Sequence, residues 1–299
     1  MELDDLTDDE LTLVIDHLNA RDLISLEAVS KRFTRNQLET AAEKNLRARY
    51  PAAAAYLQTL PQLRWRRFLH GQEQLDLDRD CARLRISHLS QEEGVDTGPS
   101  SQVRLAGRRG TTLSAYGFRG TTALCADAVM VSGGHWITFM CSDSTYLLVG
   151  VATHEFALTA HEVKSLGVQS PPYRPMNFLY ATEHASGWGY YALDGTADSD
   201  DDDAVAGLMS HDGRLIEWLY DEPAEPGDRI TLELRFQDDP EATDQCTKLS
   251  VYKNNGYLGV MADDIPPGPL CWMMEAWRGG ADFRPVSSQF RAAGANFEF

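Results

Sequence analysis

The sequence predicts an α+β, multidomain chain in which a small helical domain precedes an antiparallel β-sandwich. Apolar residues recur at helical spacing in the first 50 residues, and they alternate with polar residues after residue 75. The charge changes at the same place, because residues 72–299 hold 17 Lys and Arg against 34 Asp and Glu, in a chain of net charge −18. We therefore expect a helical domain at 1–50, a helical linker at 51–75 and a sandwich at 76–299.

The first helix of the N-terminal domain has a recognisable start in the sequence. Thr7 and Glu10 form a capping-box pattern, in which each side chain accepts a hydrogen bond from the other residue's backbone amide. The apolar residues that follow have helical spacing and form one stripe, which consists of Leu11, Val14, Ile15 and Leu18.

Two further helices are expected before residue 50. Asp22 is expected to cap the second helix, and the third is expected to run from about Ser30 to Arg49, since proline at position 51 disfavours helix at Tyr50. A unit of roughly 45 residues buries too small a fraction of its apolar surface for comfortable stability. It must therefore pack on its neighbour or be completed by a partner.

The second part of the chain reads as short strands. Five segments have strand character, at 135–140, 146–152, 214–220, 229–236 and 247–252. Asn255-Gly256 then gives a strong hairpin signal. No helical segments separate these strands, which favours an antiparallel sandwich. Trp136 is expected to fill the core of this sandwich.

Motifs typical of enzymes and metal sites are missing from the sequence. There is no Cys-x-x-Cys pair, no Gly-x-Ser-x-Gly motif and no glycine-rich phosphate loop, and His154-Glu155 with His161-Glu162 lacks the spacing of a zinc helix. The acidic run at 198–203 lacks the spaced ligands and the glycine of a calcium loop. We expect a non-catalytic chain without a metal or cofactor.

Composition restricts the partners and the compartment. An acidic chain repels phosphates, which disfavours nucleic acid as the main partner. No apolar run approaches the ~18 residues of a membrane-spanning helix. The five cysteines are scattered and odd in number, which argues against a disulfide framework and favours the cytoplasm or nucleus.

A pattern of apolar and charged residues covers the three predicted helices. It reads Leu6-Thr7-Asp8-Asp9, Leu11, Val14-Ile15, Leu18, Asp22-Leu23, Leu26 and Val29-Ser30-Lys31-Arg32-Phe33. This pattern resembles the F-box family, with Thr7 and Ala20 at two positions where that family often has proline. The alternative interpretation is a plain helical hairpin that packs on the sandwich.

The strand-rich part carries a second ordered pattern. Its five pieces are Ser132-Gly133-Gly134-His135-Trp136, Leu148-Val149-Gly150-Val151-Ala152, Gly187-Trp188-Gly189-Tyr190, Gly227-Asp228-Arg229-Ile230, and the stretch from Leu249 to Val260. In this order they resemble the SPRY family, over residues 76–299.

The two resemblances together imply a substrate receptor of a Skp–cullin–F-box ubiquitin ligase. In such a receptor the helices dock on a Skp-family adaptor and the sandwich binds a protein or peptide target. The implied adaptor contacts are Leu6, Leu11, Ile15, Leu18, Leu23, Val29 and Phe33. The candidate substrate contacts are Trp188, Trp277 and Gly279, for which core packing is the alternative. The competing function is a protein-interaction scaffold outside ubiquitination, whose helical segment packs internally.

Overall fold

The structure is a computed structural model, and it describes only part of the chain. The described residues are 14–15, 18–19, 22–23, 25–26, 34–60, 64–76, 88–91, 102–106, 112–116, 121–141, 147–162, 181–183, 186–193, 209–216, 224–225, 227–236, 246–276 and 281–291. The predicted capping box at Thr7 and the acidic run at 198–203 lie outside these ranges.

Four helices have defined bounds, and the first of them begins later than the sequence pattern indicates. They are α1 (Arg35–Arg49), α2 (Pro51–Leu57), α3 (Trp65–Asp76) and α4 (His154–Thr159). Thr34 and Gln37 form a capping box at the start of α1, so the predicted start at Ser30 is wrong. The predicted end at Arg49 is confirmed, and Pro51 opens α2, where its missing amide costs nothing. No helix of the described residues is both long enough and apolar enough to cross a membrane.

The cap that precedes Leu23 is Asn19 rather than Asp22. The side-chain oxygen of Asn19 accepts from the backbone amide of Asp22 at 2.9 Å, and its carbonyl accepts from the amide of Leu23 at 3.0 Å. Asn and Asp are equally good caps, so residue type alone did not separate them. These hydrogen bonds place Asp22 within the first turn of the helix, three residues after the cap.

Within the described residues, fifteen strands follow α3. The first eight are β1 (His88–Gln91), β2 (Gln102–Ala106), β3 (Thr112–Tyr116), β4 (Thr121–Leu124), β5 (Gly134–Cys141), β6 (Leu147–Thr153), β7 (His161–Glu162) and β8 (Gly187–Leu193). The others are β9 (Met209–His211), β10 (Arg214–Ile216), β11 (Arg229–Arg235), β12 (Thr247–Lys253), β13 (Gly256–Ile265), β14 (Leu270–Ala276) and β15 (Ala281–Arg291). The predicted hairpin is present, with Asn254 and Asn255 at positive φ in its turn.

The strands form two antiparallel sheets that pack face to face. The first has the order β10-β9-β8-β6-β14-β4-β1-β7, and the second β13-β12-β11-β5-β15-β3-β2. Alternate residues of both sheets share one buried cluster, which includes Val149, Trp188 and Trp272 from the first sheet and Phe139, Leu232 and Val251 from the second. The architecture is therefore the predicted helical segment followed by an antiparallel β-sandwich.

Trp136 does not fill that core. It lies on β5 beside Ile137, which points into the buried cluster, so the side chain of Trp136 points to the opposite face. Its register partner on β11 is Glu233, whose side chain also faces away from the core. The prediction for Trp136 is wrong, since strand alternation assigns it to the other face.

The helices pack closely on one end of the sandwich through α3. Arg67 forms an ion pair with Asp127, and the side-chain amide of Gln72 donates to the carbonyl of Val129 at 2.7 Å. At Gly71 the two backbones approach so closely that an added Cβ would lie 1.9 Å from the carbonyl oxygen of Asp127. Leu75, at the end of α3, belongs to the sandwich core. The helical segment and the sandwich therefore share one packed interior.

Candidate binding groove

A groove of about 500 Å³ lies on the outer face of the second sheet, across strands β11, β12 and β13. We call it the tyrosine groove, and it is lined by Glu233, Arg235, Lys248, Ser250, Tyr252, Asn255, Tyr257 and Val260. These residues stand on the face opposite the core residues of the same strands, as the alternation along β11 and β12 requires. Regular strands thus supply most of the lining.

One bulge in β13 turns further apolar side chains into the groove. Tyr257 pairs with Tyr252 and Val260 pairs with Ser250, so β13 has one residue more than β12 between these pairs. In a regular strand, positions 257 and 260 would face opposite sides. The extra residue lets both face the groove, where Tyr257 is 57% and Val260 39% exposed. Gly259 has a φ of 149°, which side chains rarely adopt, and so permits this irregular backbone.

Glu233 forms the base of the groove and is almost fully buried. One carboxylate oxygen accepts from Nε and Nη2 of Arg235, and the other accepts from the hydroxyl of Tyr252 at 2.6 Å. Burial, with the neighbouring Glu233 carboxylate as a further cause, raises the pKa of Tyr252 above its usual value. The hydroxyl therefore remains protonated and holds the Tyr252 ring in place.

The groove has two tyrosines at one end and two basic residues at the other. The rings of Tyr252 and Tyr257 are tilted, with their centroids 5.0 Å apart. At the other end Arg235 and Lys248 are direct register partners on β11 and β12. No group of three or more His, Cys, Asp or Glu residues suited to a metal occurs in the described ranges. The arrangement offers apolar contact and hydrogen bonding.

The groove rim at the β12–β13 hairpin is fixed by hydrogen bonds to the start of β11. Asn254 donates its backbone amide to the carbonyl of Arg229, and its side-chain oxygen accepts from the Arg229 amide. The side-chain nitrogen of Asn254 donates to Asp228 at 2.7 Å. The same aspartate contacts Lys253, 3.6 Å away. These contacts hold the hairpin in one position.

The predicted adaptor contacts divide into buried, partly buried and undescribed residues. Ile15 and Leu23 are buried in a cluster with residues of α1, α2 and α3, and Leu18 is partly buried against it. The neighbouring Val14 is 41% exposed. The other predicted adaptor contacts lie outside the described residues: Leu6, Leu11, Val29 and Phe33. Ile15 and Leu23 therefore hold the helices together, which leaves them covered by the chain itself.

Of the predicted substrate contacts, only Trp188 lies in the described part of the chain. It is 2% exposed and stacks on His211, with ring centroids 4.5 Å apart. An exposed anchor at Trp188 is therefore wrong, and the alternative of core packing describes it. Trp277 and Gly279 lie outside the described residues, so their role stays a prediction.

The sequence predicted that the groove residues belong to strands and to the SPRY-like pattern, but it did not predict the groove. The segment from Leu249 to Val260 was part of the resemblance, but alternation alone places Tyr257 and Val260 on opposite faces. Gly259, inside the strand between Tyr257 and Val260, was the available signal of a bulge. Glu233 occupies a polar position of an alternating strand pattern, where a charged residue ordinarily faces solvent. The sequence therefore did not predict that its side chain is buried.

Comparison with known proteins finds similarity in three-dimensional structure alone. No family model matches the sequence, and no curated protein matches it. The SPRY domain of human HERC1 is 17% identical, over 63% of this chain and 94% of that one, with a TM-score of 0.40. A human SPRY domain is 18% identical, over 66% and 100%, with a TM-score of 0.35, and the TRIM65 PSpry domain is 13% identical, over 70% and 97%, with a TM-score of 0.39. These comparisons place the chain beside SPRY domains as its structural neighbours.

Proposed function

We propose that this chain is a non-catalytic protein-recognition module whose sandwich binds a segment of another protein in the tyrosine groove. The observation that carries the proposal is the bulge in β13 that turns Tyr257 and Val260 to the same face as Tyr252. Bulges that redirect side chains are frequent at functional sites. The sequence resemblance to protein-binding sandwiches supports the same function.

The chemistry of the groove favours a protein ligand. Binding energy at protein interfaces concentrates in Tyr, Trp and Arg, and the groove holds two tyrosines and one arginine. Its base is held by the hydrogen bonds of Glu233, and its rim by those of Asn254. A site held in this way loses little conformational entropy when a ligand binds.

Selection from a displayed library of random dodecapeptides on the immobilised full chain tests this function. We expect enriched peptides whose binding is lost in Tyr257→Ser, since the exposed ring contributes contact area without supporting the core. Leu158→Ser is the matched control, because Leu158 is a similarly exposed apolar residue on α4. Enriched peptides that bind Tyr257→Ser as well as the unchanged protein would place the site elsewhere.

We further propose, as a finer role, that the chain is a substrate receptor of a Skp–cullin–F-box ligase. The support is the F-box resemblance, together with Val14, an exposed apolar residue of that segment. Helix recognition in a partner's groove needs such apolar anchors. With Ile15 and Leu23 used internally, the adaptor would contact the side of the segment on which Val14 lies.

Reconstitution with a Skp-family adaptor and a cullin tests the ligase role. Val14→Glu should abolish adaptor binding and keep the fold, because the side chain is already partly in solvent. Leu158→Glu is the control for adding a charge at an exposed apolar position. If the full chain captures no adaptor, the chain acts as a scaffold outside ubiquitination with an internally packed helical segment.

A further inference from the structure

The turn between β12 and β13 contains the single Asn-Gly pair of the sequence, Asn255-Gly256. Both residues are exposed to solvent. Asparagine deamidates most readily before glycine, since glycine has no Cβ to keep its backbone nitrogen away from the asparagine side chain. The turn therefore presents a chemically reactive pair at the surface.

The two asparagines of this turn differ in how their side chains are held. Both are exposed, with φ values of 51° at Asn254 and 70° at Asn255. The side-chain oxygen of Asn254 accepts from the amide of Arg229 at 2.9 Å, and its nitrogen donates to Asp228 at 2.7 Å. The side chain of Asn255 lines the tyrosine groove and has no hydrogen bond in the described part of the chain. Asn255 is therefore the one of the two that is free to react.

Deamidation of Asn255 requires water and no other reagent. The backbone nitrogen of Gly256 bonds to Cγ of Asn255, and the bond from Cγ to Nδ2 breaks. Nδ2 leaves as ammonia with the proton of the attacking amide, and a cyclic imide remains in the main chain. Water then opens the imide on either side of its nitrogen, which gives aspartate or isoaspartate. Either product adds one negative charge.

The folded turn restrains this reaction. Gly256 pairs with Lys253, and the turn is so tight that a Cβ on Gly256 would lie 3.2 Å from the carbonyl oxygen of Lys253. Closure of the imide brings the Gly256 nitrogen against the Asn255 side chain, so the turn must first open locally. The hydrogen bonds from Asn254 to the residues at the start of β11 oppose that opening.

We propose that Asn255 is a site of spontaneous deamidation, and that the side-chain hydrogen bonds of Asn254 to Asp228 and Arg229 limit its rate. The inference goes beyond the proposed function and does not depend on it. It assigns different chemistry to two adjacent exposed asparagines, because one side chain is held and the other is not.

The modification changes the tyrosine groove. Asn255 is part of the groove lining, so its conversion places a carboxylate there. Isoaspartate also adds one carbon atom to the main chain, two residues before Tyr257, which is the register partner of Tyr252. Both the charge and the backbone at this end of the groove therefore change.

Peptide mapping of the aged full chain tests the site. The protein is incubated at neutral and at mildly alkaline pH, digested and analysed by mass spectrometry, with fragmentation that separates Asn254 from Asn255. We expect aspartate and isoaspartate at Asn255, and asparagine retained at Asn254. Conversion should be faster at the higher pH, since the deprotonated amide nitrogen is the nucleophile. A sample digested without incubation corrects for conversion during handling.

Three variants test the physical causes. Gly256→Ala should slow conversion by about tenfold or more, because the added Cβ hinders the attacking nitrogen. Asn254→Gly should accelerate conversion of Asn255 by about fivefold, since it removes two hydrogen bonds while glycine readily adopts a positive φ. Leu158→Ser, at an exposed position on α4, is the control and should leave the rate unchanged. Thermal unfolding of each variant checks that the fold is retained.

The outcomes separate the two parts of the inference. No conversion at Asn255, or equal conversion at Asn254 and Asn255, would overturn the site. Conversion in Asn254→Gly at the rate of the unchanged protein would overturn the restraint by the Asn254 hydrogen bonds. Peptide binding in the groove is measured separately, so either result would leave the proposed function intact.

Discussion

The hydroxyl of Tyr56, on α2, lies 2.9 Å from Nδ1 of His154, on α4, and the contact joins the helical segment to the sandwich. Nε2 of the same imidazole lies 2.9 Å from the carbonyl of Ala126, which can only accept, so Nε2 carries the proton. Burial lowers the pKa of His154 to about 4, so the ring is neutral at physiological pH. Nδ1 must then accept from Tyr56, and the direction of both hydrogen bonds is fixed.

Tyr56→Phe should destabilise the protein, since it leaves Nδ1 of the buried His154 without its donor. An unsatisfied buried polar group costs about 1–3 kcal/mol, and we expect a loss in the free energy of unfolding of this size. Urea unfolding at pH 7 measures it. Tyr257→Phe, which removes a hydroxyl from an exposed ring, is the control and should change the stability little. Equal effects of the two variants would contradict the role of Tyr56.

Gly71→Ala should also destabilise the protein, because α3 approaches the backbone of Asp127 too closely for a Cβ. Alanine would gain about 1 kcal/mol from helix propensity, but overpacking costs typically about 1–3 kcal/mol. Gly268→Ala is the control, as a Cβ there meets no atom within 4 Å. Thermal unfolding compares the two. A Gly71→Ala variant more stable than the unchanged protein would disprove the close approach.

Glu275→Gln should change the dependence of stability on pH. Glu275 is fully buried and accepts from the hydroxyls of Thr122 and Thr182, and burial raises its pKa to about 7. The folded protein therefore holds a proton, between pH 4.5 and 7, that the unfolded chain has lost. The free energy of unfolding contributed by Glu275 falls as pH rises through that range, by up to about 3 kcal/mol.

The comparison needs both proteins, because two buried histidines act in the opposite direction. Burial lowers the pKa of His135 to about 3 and that of His154 to about 4, so both reduce stability as pH falls below 6.5. Subtracting the Glu275→Gln curve from that of the unchanged protein, by urea unfolding from pH 4.5 to 8, isolates Glu275. A difference that does not vary with pH would contradict the raised pKa.

Leu23→Ala should cost about 2–5 kcal/mol of the free energy of unfolding, the usual range for a fully buried leucine. Val14→Ala, nine residues earlier and exposed, should cost less than about 1 kcal/mol. Chemical denaturation of the full chain gives both values. Similar small values for both would show that Leu23 does not pack on α1 and is available to a partner.

Much of the fold follows from patterns that act locally along the chain. The alternation in 229–236 and 247–252 predicts β11 and β12, since it requires only that one face of a strand be buried. The positive-φ turn at Asn254 and Asn255 likewise depends on residue type. Strands and turns of this kind can be predicted from sequence because they depend on residues that are close together in the chain.

The choice between equivalent residues was decided by hydrogen bonds and strand register that residue type alone does not specify. Asn19 and Asp22 are equally good N-caps, and hydrogen bonding selects Asn19. The helical pattern reads as continuous from Ser30, but Thr34 caps α1 and the helix begins at Arg35. Trp136 is large and apolar, yet its register with Glu233 sets it on the outer face. In each case the hydrogen-bonding partner or strand register, rather than the side chain's character, determined its position.

The sequence by itself determined a helical segment followed by an antiparallel sandwich. It also supplied a hypothesis to test, which is a binding function, since the sequence lacks catalytic motifs. Tertiary structure decided that Ile15 and Leu23 pack inside, and that Tyr257 and Val260 share one face with Tyr252. The physical reason is that hydrophobic periodicity specifies which residues avoid water. Which surface covers them depends on helix packing and strand bulges, which join residues far apart in the chain.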